Sequence, residues 1–120
     1  MAVRAVRGAI QVDADSREHI LDGSAELITA VLERNGLVAE DIISILFTAT
    51  PDLSAEFPAY AARLLGLTDV PLLCASELSV PGALPRTLRL LAHVETERAR
   101  ADLRHVYLRG AAALRTDLPQ

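Results

Sequence analysis

The run Ile42-Ile43-Ser44-Ile45-Leu46-Phe47-Thr48-Ala49-Thr50 constrains this chain most. It is β-branched and almost continuously apolar, and Pro51-Asp52 stops it. Such a run reads as a strand covered on both faces, because a half-exposed strand alternates apolar with polar residues. The other elements arrange themselves around it. Residues 3–12 read as a strand bounded by the acidic cluster Asp13, Asp15. A helix follows. Asp15 and Glu18 have the spacing of a capping box, and Ile20, Leu21, Leu27, Ile28, Val31 and Leu32 form one apolar stripe. Asn35-Gly36 supplies its stop.

A short helix is expected over residues 58–65, with Pro58 in its first turn and Gly66 closing it. Residues 70–74 read as a short strand, and Pro81, Gly82 and Pro85 make the next segment a loop or single turn. Residues 87–96 admit two readings. Leu84, Leu88, Leu91 and Ala92 fit helical spacing, whereas Leu88, Leu90, Ala92 and Val94 alternate as in a strand. Propensity alone favours the helix, since Leu, Ala, Arg and Glu dominate. Beyond a solvated connection at 97–102, residues 105–108 form a short strand and 110–114 a short turn of helix before a polar tail. At 120 residues, without repeats or a linker, the chain reads as one domain spanning 1–120.

Apolar residues make up 51% of the chain but aromatics only 3%, so the core must be built from Leu, Val, Ile and Ala. No apolar run approaches the roughly 18 residues of a membrane span, and no h-region of a signal peptide follows the first arginines. The single cysteine excludes an internal disulfide. A cytoplasmic protein without membrane association is expected. The net charge of −4 argues against nucleic acid as a partner. All 12 basic residues are arginine, so every cation is permanently charged and no lysine exists for Schiff-base chemistry.

The segment Val70-Pro71-Leu72-Leu73-Cys74-Ala75-Ser76-Glu77, with Arg89 shortly after it, places the one cysteine, a carboxylate and an arginine in a largely apolar stretch. Arginine recurs in Val3-Arg4-Ala5-Val6-Arg7-Gly8-Ala9 and in Arg104-His105-Val106-Tyr107-Leu108-Arg109. The pattern points to a pocket for a small anion, with fixed cations and no obvious nucleophile. Each residue also has a plainer reading. Arg7 alone is an exposed edge arginine. Cys74 alone is a small buried apolar residue. Tyr107 fits equally as core or as a ligand contact. Arg89, flanked by leucines, needs an anionic partner, either Glu77 or a ligand. His19, His93 and His105 lack ligand spacing, so no metal is expected.

Taken in order, Arg4-Ala5-Val6-Arg7-Gly8-Ala9, Thr48-Ala49-Thr50-Pro51-Asp52-Leu53, Phe57-Pro58-Ala59 with Arg63, Val70-Pro71 through Cys74 and Glu77, Arg89, and Arg104-His105-Val106-Tyr107-Leu108 continuing to Leu114-Arg115 resemble the monofunctional chorismate mutases of the trimeric AroH class. The resemblance implies an α+β fold, a mixed β-sheet with helices packed on one face in a ferredoxin-like arrangement. It makes residues 87–96 a strand. It also implies a homotrimer, a pseudo-α/β-barrel with active sites between subunits, that turns chorismate into prephenate without a cofactor.

Carried over by residue, Arg7 grips a substrate carboxylate with Tyr107 beside it. Arg89 points at the ether oxygen, and Glu77 and Cys74 hold the ring hydroxyl. Phe57, Ala59, Arg63, Leu73, Leu114 and Arg115 line the wall or mouth. The chain departs from the family pattern at Tyr60, where lysine is frequent, and at Leu73, where threonine is common. Two rival functions are a trimeric imine or enamine deaminase of similar architecture, and a non-catalytic module binding small anions.

Overall fold

The computed structural model describes residues 1–114. Its elements are β1 (Ala2–Gln11), α1 (Arg17–Arg34), β2 (Ile42–Ala49), α2 (Ala59–Leu64), β3 (Leu72–Ser76), β4 (Thr87–Thr96) and β5 (Val106–Leu108). Short 3-10 turns lie at Ala39–Asp41, Arg100–Asp102 and Arg109–Ala113. The strands form one mixed sheet in the order β3-β2-β4-β1-β5. β4 runs antiparallel to both β1 and β2, while β3 is parallel to β2 and β5 is parallel to β1.

Residues 87–96 are thus a strand, and the pairing shows why helical propensity loses. Both edges of the segment are hydrogen-bonded to neighbours, and Leu88, Leu90, Ala92 and Val94 all reach the core. A helix would satisfy the same backbone groups but would rotate this period-two set out of register. Helix α1 buries Ile20, Leu27, Ile28 and Val31 against the same side of the sheet. It lies very close to β1. A Cβ at Gly23 would come within 2.5 Å of Val12 Cγ1, and one at Gly8 within 2.9 Å of Leu27 Cδ1. Phe47, Ile45, Val6, Ile10 and Val106 complete this core.

Two expectations are corrected. The cap of α1 is Ser16, whose Oγ accepts the His19 amide at 3.0 Å, and not an Asp15–Glu18 box. Asp15 is drawn away to a neighbouring loop, accepting the amides of Ser54 (2.9 Å) and Ala55 (3.0 Å). The second correction concerns β2. Ile45 and Phe47 are buried beneath the helices, but Ser44, Leu46 and Thr48 on the opposite side are only partly covered. Among the described residues the helices cover one face of the sheet, and the other is open over β2 and β4 but covered near β5, where Ala9 and Tyr107 pack under Ala111.

Polar ties fix the loops around this sheet. Asn35, at 1% exposure, donates to the carbonyls of Val31 and Arg104 (both 2.9 Å) and accepts the Arg104 amide at 2.7 Å. It thereby fastens the end of α1 to the approach of β5. Asp52 accepts from Thr50 Oγ1 at 2.5 Å and from the Arg86 amide at 2.9 Å. Arg86 Nε also reaches the Val12 carbonyl at 2.9 Å. Together these hold Arg86 at φ 49°, the left-handed turn from which β4 starts.

Replacing Asn35 with Ala removes three hydrogen bonds from a buried position. It should destabilise the fold by roughly 2–4 kcal/mol, read from urea unfolding. Acid should act on the loop ties. The Ser54 and Ala55 amides hold the Asp15 carboxyl below its ordinary value of 3.8. The Thr50 hydroxyl, with the Arg86 amide, does the same for Asp52. A carboxyl lowered by folding stabilises the fold above its unfolded pKa and loses that contribution as pH falls through the folded one. An Asp15→Asn variant should therefore melt below the parent at neutral pH, and the gap should narrow as pH drops through 3.8 and further.

Candidate active site

Strand alternation sends Arg89 to the open face of the sheet, in register with Thr48 of β2 on one side and Ala9 of β1 on the other. There its Nε donates to both carboxylate oxygens of Glu77, at 3.1 and 3.0 Å. Glu77 is placed by two further bonds. Its amide donates to the Ala49 carbonyl at 2.9 Å, and its Oε2 accepts from Thr48 Oγ1 at 2.6 Å. The guanidinium is therefore oriented through Nε alone, and its two terminal nitrogens bond no described residue. Arg89 does pair with Glu77, but that pairing leaves most of its donors available.

Arg7 shares this face. It stands opposite Leu91, which makes it a diagonal neighbour of Arg89, a relation that sets Cα atoms about 7–8 Å apart. Its backbone amide is held by His105 Nδ1 at 3.0 Å, while its exposed guanidinium forms no ion pair with a described residue. Tyr107 lies beside Ala9 through the β1–β5 register. It packs with Ala111, Leu84 and Leu114 in a second, smaller cluster. At 4% exposure its hydroxyl is buried, yet it has no hydrogen-bond partner among the described residues. Buried hydroxyls without a partner are uncommon, which makes this one a candidate donor to a ligand or an ordered water.

A second set gathers elsewhere, at the β3 edge. Phe57, Ala59, Arg63, Leu73 and Cys74 line a cleft of about 710 Å³ between α2 and β3, within the range of small-ligand pockets. Cys74 pairs with Phe47 and packs against the main core, so it points to the helix side of the sheet, opposite to Arg89. Phe57 and Leu73 are 70% and 66% exposed. Large apolar side chains left this bare beside a cleft mark a surface meant to be covered.

Sequence reasoning named ten of the residues placed here, and the fold sorts them into two sets. Arg7, Glu77, Arg89, Tyr107 and Leu114 belong to the open face; Phe57, Ala59, Arg63 and Cys74 belong to the edge cleft, whose rim Leu73 also lines from the open-face side of β3. Arg115 lies outside the described residues. Thr48 was not chosen as a site residue although it anchors Glu77. Its signal was present, since it stands two residues after Leu46 on the face opposite Phe47. Arg17 and Glu56 also line the edge cleft and were not singled out, and Tyr60, noted only as a departure from the family pattern, lines it as well. Arg17 sits far from the cleft in sequence, and only the packing of α1 against α2 brings it there.

The chain is similar to known proteins over nearly its whole length. Residues 3–118 match the family model for chorismate mutase type I. The chain is 48% identical over 117 residues to the chorismate mutase AroH of Thermus thermophilus, covering 97% of this chain and 96% of that protein. It is 40% identical over 119 residues to the chorismate mutase AroH of Bacillus subtilis, covering 98% and 94%. A chorismate mutase structure from Clostridium thermocellum superposes with a TM-score of 0.91 at 44% identity, covering 92% of this chain and 98% of that one. With a family model matched over residues 3–118, relatives at 48% and 40% identity over nearly the full length and a shared fold, the chain belongs to the chorismate mutase type I family.

Proposed function

We propose that this chain is an isomerase converting chorismate to prephenate, in sites formed where the open sheet face of one subunit meets the α2–β3 cleft of a neighbour in a homotrimer. The observation that carries the reading is the guanidinium of Arg89, fixed through Nε by Glu77 with its terminal nitrogens bonding no described residue. The reaction is a unimolecular [3,3] rearrangement, in which a carbon–oxygen bond breaks while a carbon–carbon bond forms. No proton is transferred and no covalent intermediate arises. The protein's task is then to hold the enolpyruvyl group over the ring and to meet charge where it develops.

Arg89 suits the ether oxygen, which gains negative charge as its bond to carbon breaks. Orientation by Glu77 means that little reorganisation is needed at that moment. Glu77 keeps acceptor capacity beyond its bonds to Arg89 and Thr48 and can take the ring hydroxyl, with Cys74 of the facing cleft as its counterpart. Arg7 and Arg63 provide guanidinium groups for the two substrate carboxylates, and the unpartnered Tyr107 hydroxyl stands near Arg7's strand as a further donor. Phe57, Ala59, Leu73 and Leu114 form the apolar walls.

The trimer is supported by the division of the site. One chain carries the charged half over β1 and β4 and the walled half at its α2–β3 edge, where Phe57 and Leu73 are left bare. We place the protein in the cytoplasm, where a lone thiol such as Cys74 stays reduced. No helix among the described residues is long and apolar enough to cross a membrane.

Replacing Arg89 with Ala should lower kcat on the order of 10²–10³-fold or more, with the assembly and its melting temperature largely kept. Arg89→Lys should recover only part, since an ammonium lacks the guanidinium fork. An Arg89→Ala enzyme that binds chorismate weakly but turns it over at the parental kcat would remove the electrostatic role. The chemical step should be flat across neutral pH, because no side chain exchanges a proton with substrate; a bell-shaped profile of that step would contradict the mechanism. Sedimentation should show a trimer, and an active monomer would exclude a site shared between subunits.

A further inference from the structure

Arg17, the first residue of α1, reaches across to the rim of the edge cleft. Its Nε donates to Glu56 Oε1 at 2.9 Å, and its Cζ lies 5.6 Å from the centroid of the Tyr60 ring. Glu56 is itself held, its Oε2 accepting the Phe57 amide at 2.9 Å. Just before Arg17, Asp15 binds the Ser54 and Ala55 amides, so the start of α1 and the loop leading to Phe57 are tied at two points. The stem of Arg17 is thereby anchored and its planar group braced on one side by a carboxylate and on one face by an aromatic ring. Its terminal nitrogens bond no described residue.

We propose that Arg17 is a further substrate-binding residue, its terminal guanidinium nitrogens receiving a carboxylate of the dianionic substrate at the cleft rim. The inference rests on the placement of chorismate in the α2–β3 cleft given above. Of the charged groups lining this cleft, Glu56 is engaged by Arg17 Nε and by the Phe57 amide, which leaves Arg63 and the outer edge of Arg17 as its donors toward an anion. A guanidinium already oriented by Glu56 and Tyr60 loses little rotamer freedom when it takes up a carboxylate. The side chain is 61% exposed, so its contribution is moderated by solvent and falls further with salt. Such a contact holds ground state and transition state alike, because the carboxylates keep their charge through the rearrangement. Its signature is therefore in KM.

Steady-state kinetics with chorismate on Arg17→Ala, Arg17→Lys and Arg63→Ala enzymes, at low and high ionic strength, test the assignment. Arg17→Ala should raise KM about three- to tenfold, leave kcat within about twofold, and flatten the salt dependence of kcat/KM. Arg17→Lys should restore part of the affinity and the salt dependence, since it restores the charge without the braced fork. If Arg63→Ala raises KM while Arg17→Ala does not, Arg17 has no such role and the cleft remains the substrate site. If neither changes KM, the placement of substrate in this cleft fails, and this inference with it. A loss of kcat and melting temperature in Arg17→Ala at unchanged KM would show that Arg17 only braces the loop before Phe57.

Discussion

Strand β4 is hydrogen-bonded along its length to β1 on one side and β2 on the other, and the rest of the molecule depends on that double pairing. It makes a three-leucine, arginine-bearing segment extended against its own helical preference. It puts Leu88, Leu90, Ala92 and Val94 under the helices, and by the same alternation it turns Arg89 to the other face. The registers then deliver neighbours to that arginine, Thr48 across one interface and Ala9 with Tyr107 beyond it across the other. The core and the charged half of the site are two consequences of one pairing pattern.

The open face carries both apolar and charged groups. Leu46 of β2, Leu73 of β3 and Leu91 of β4 lie in register across it, alongside Arg7, Arg89 and Glu77. An arginine in such surroundings is expensive to desolvate unless a carboxylate faces it, and Glu77 meets that need while leaving the outer nitrogens available. The bonds to Glu77 from Thr48 and from its own amide serve the same end, since a carboxylate fixed on both sides fixes the arginine it holds.

Much of the fold was legible from residue patterns. The period-two strand at β1 and the apolar stripe of α1 follow from side-chain geometry that holds in any context, and both are found close to their expected bounds. Asn35-Gly36 ends the helix as expected, although the buried hydrogen bonds of Asn35 to Arg104 depend on a partner 69 residues away. Other readings needed that distant context. Asp15 looked like a capping residue because local spacing cannot register a competing pair of amides at 54 and 55. The β2 run looked doubly covered because an apolar run does not record which elements pack above each of its faces, and here Ser44, Leu46 and Thr48 are only partly covered.

The candidate site divides along the same line. The residue types were set by sequence alone: permanent cations, one carboxylate near one thiol, a tyrosine between apolar neighbours, and order and spacing specific enough to resemble a single family. These are local properties, and the chain states them directly. Tertiary structure decided which of them meet. Arg89 was open to either Glu77 or a ligand, and the fold gives it Glu77 through one nitrogen and leaves the others. Cys74 and Arg89 are close in sequence but lie on opposite faces, because β3 and β4 join the sheet in different places and alternate their side chains across it. Arg17 joins the cleft only because α1 packs against α2. A contact between residues distant in sequence depends on the relative placement of whole elements, which the packing of the entire core determines.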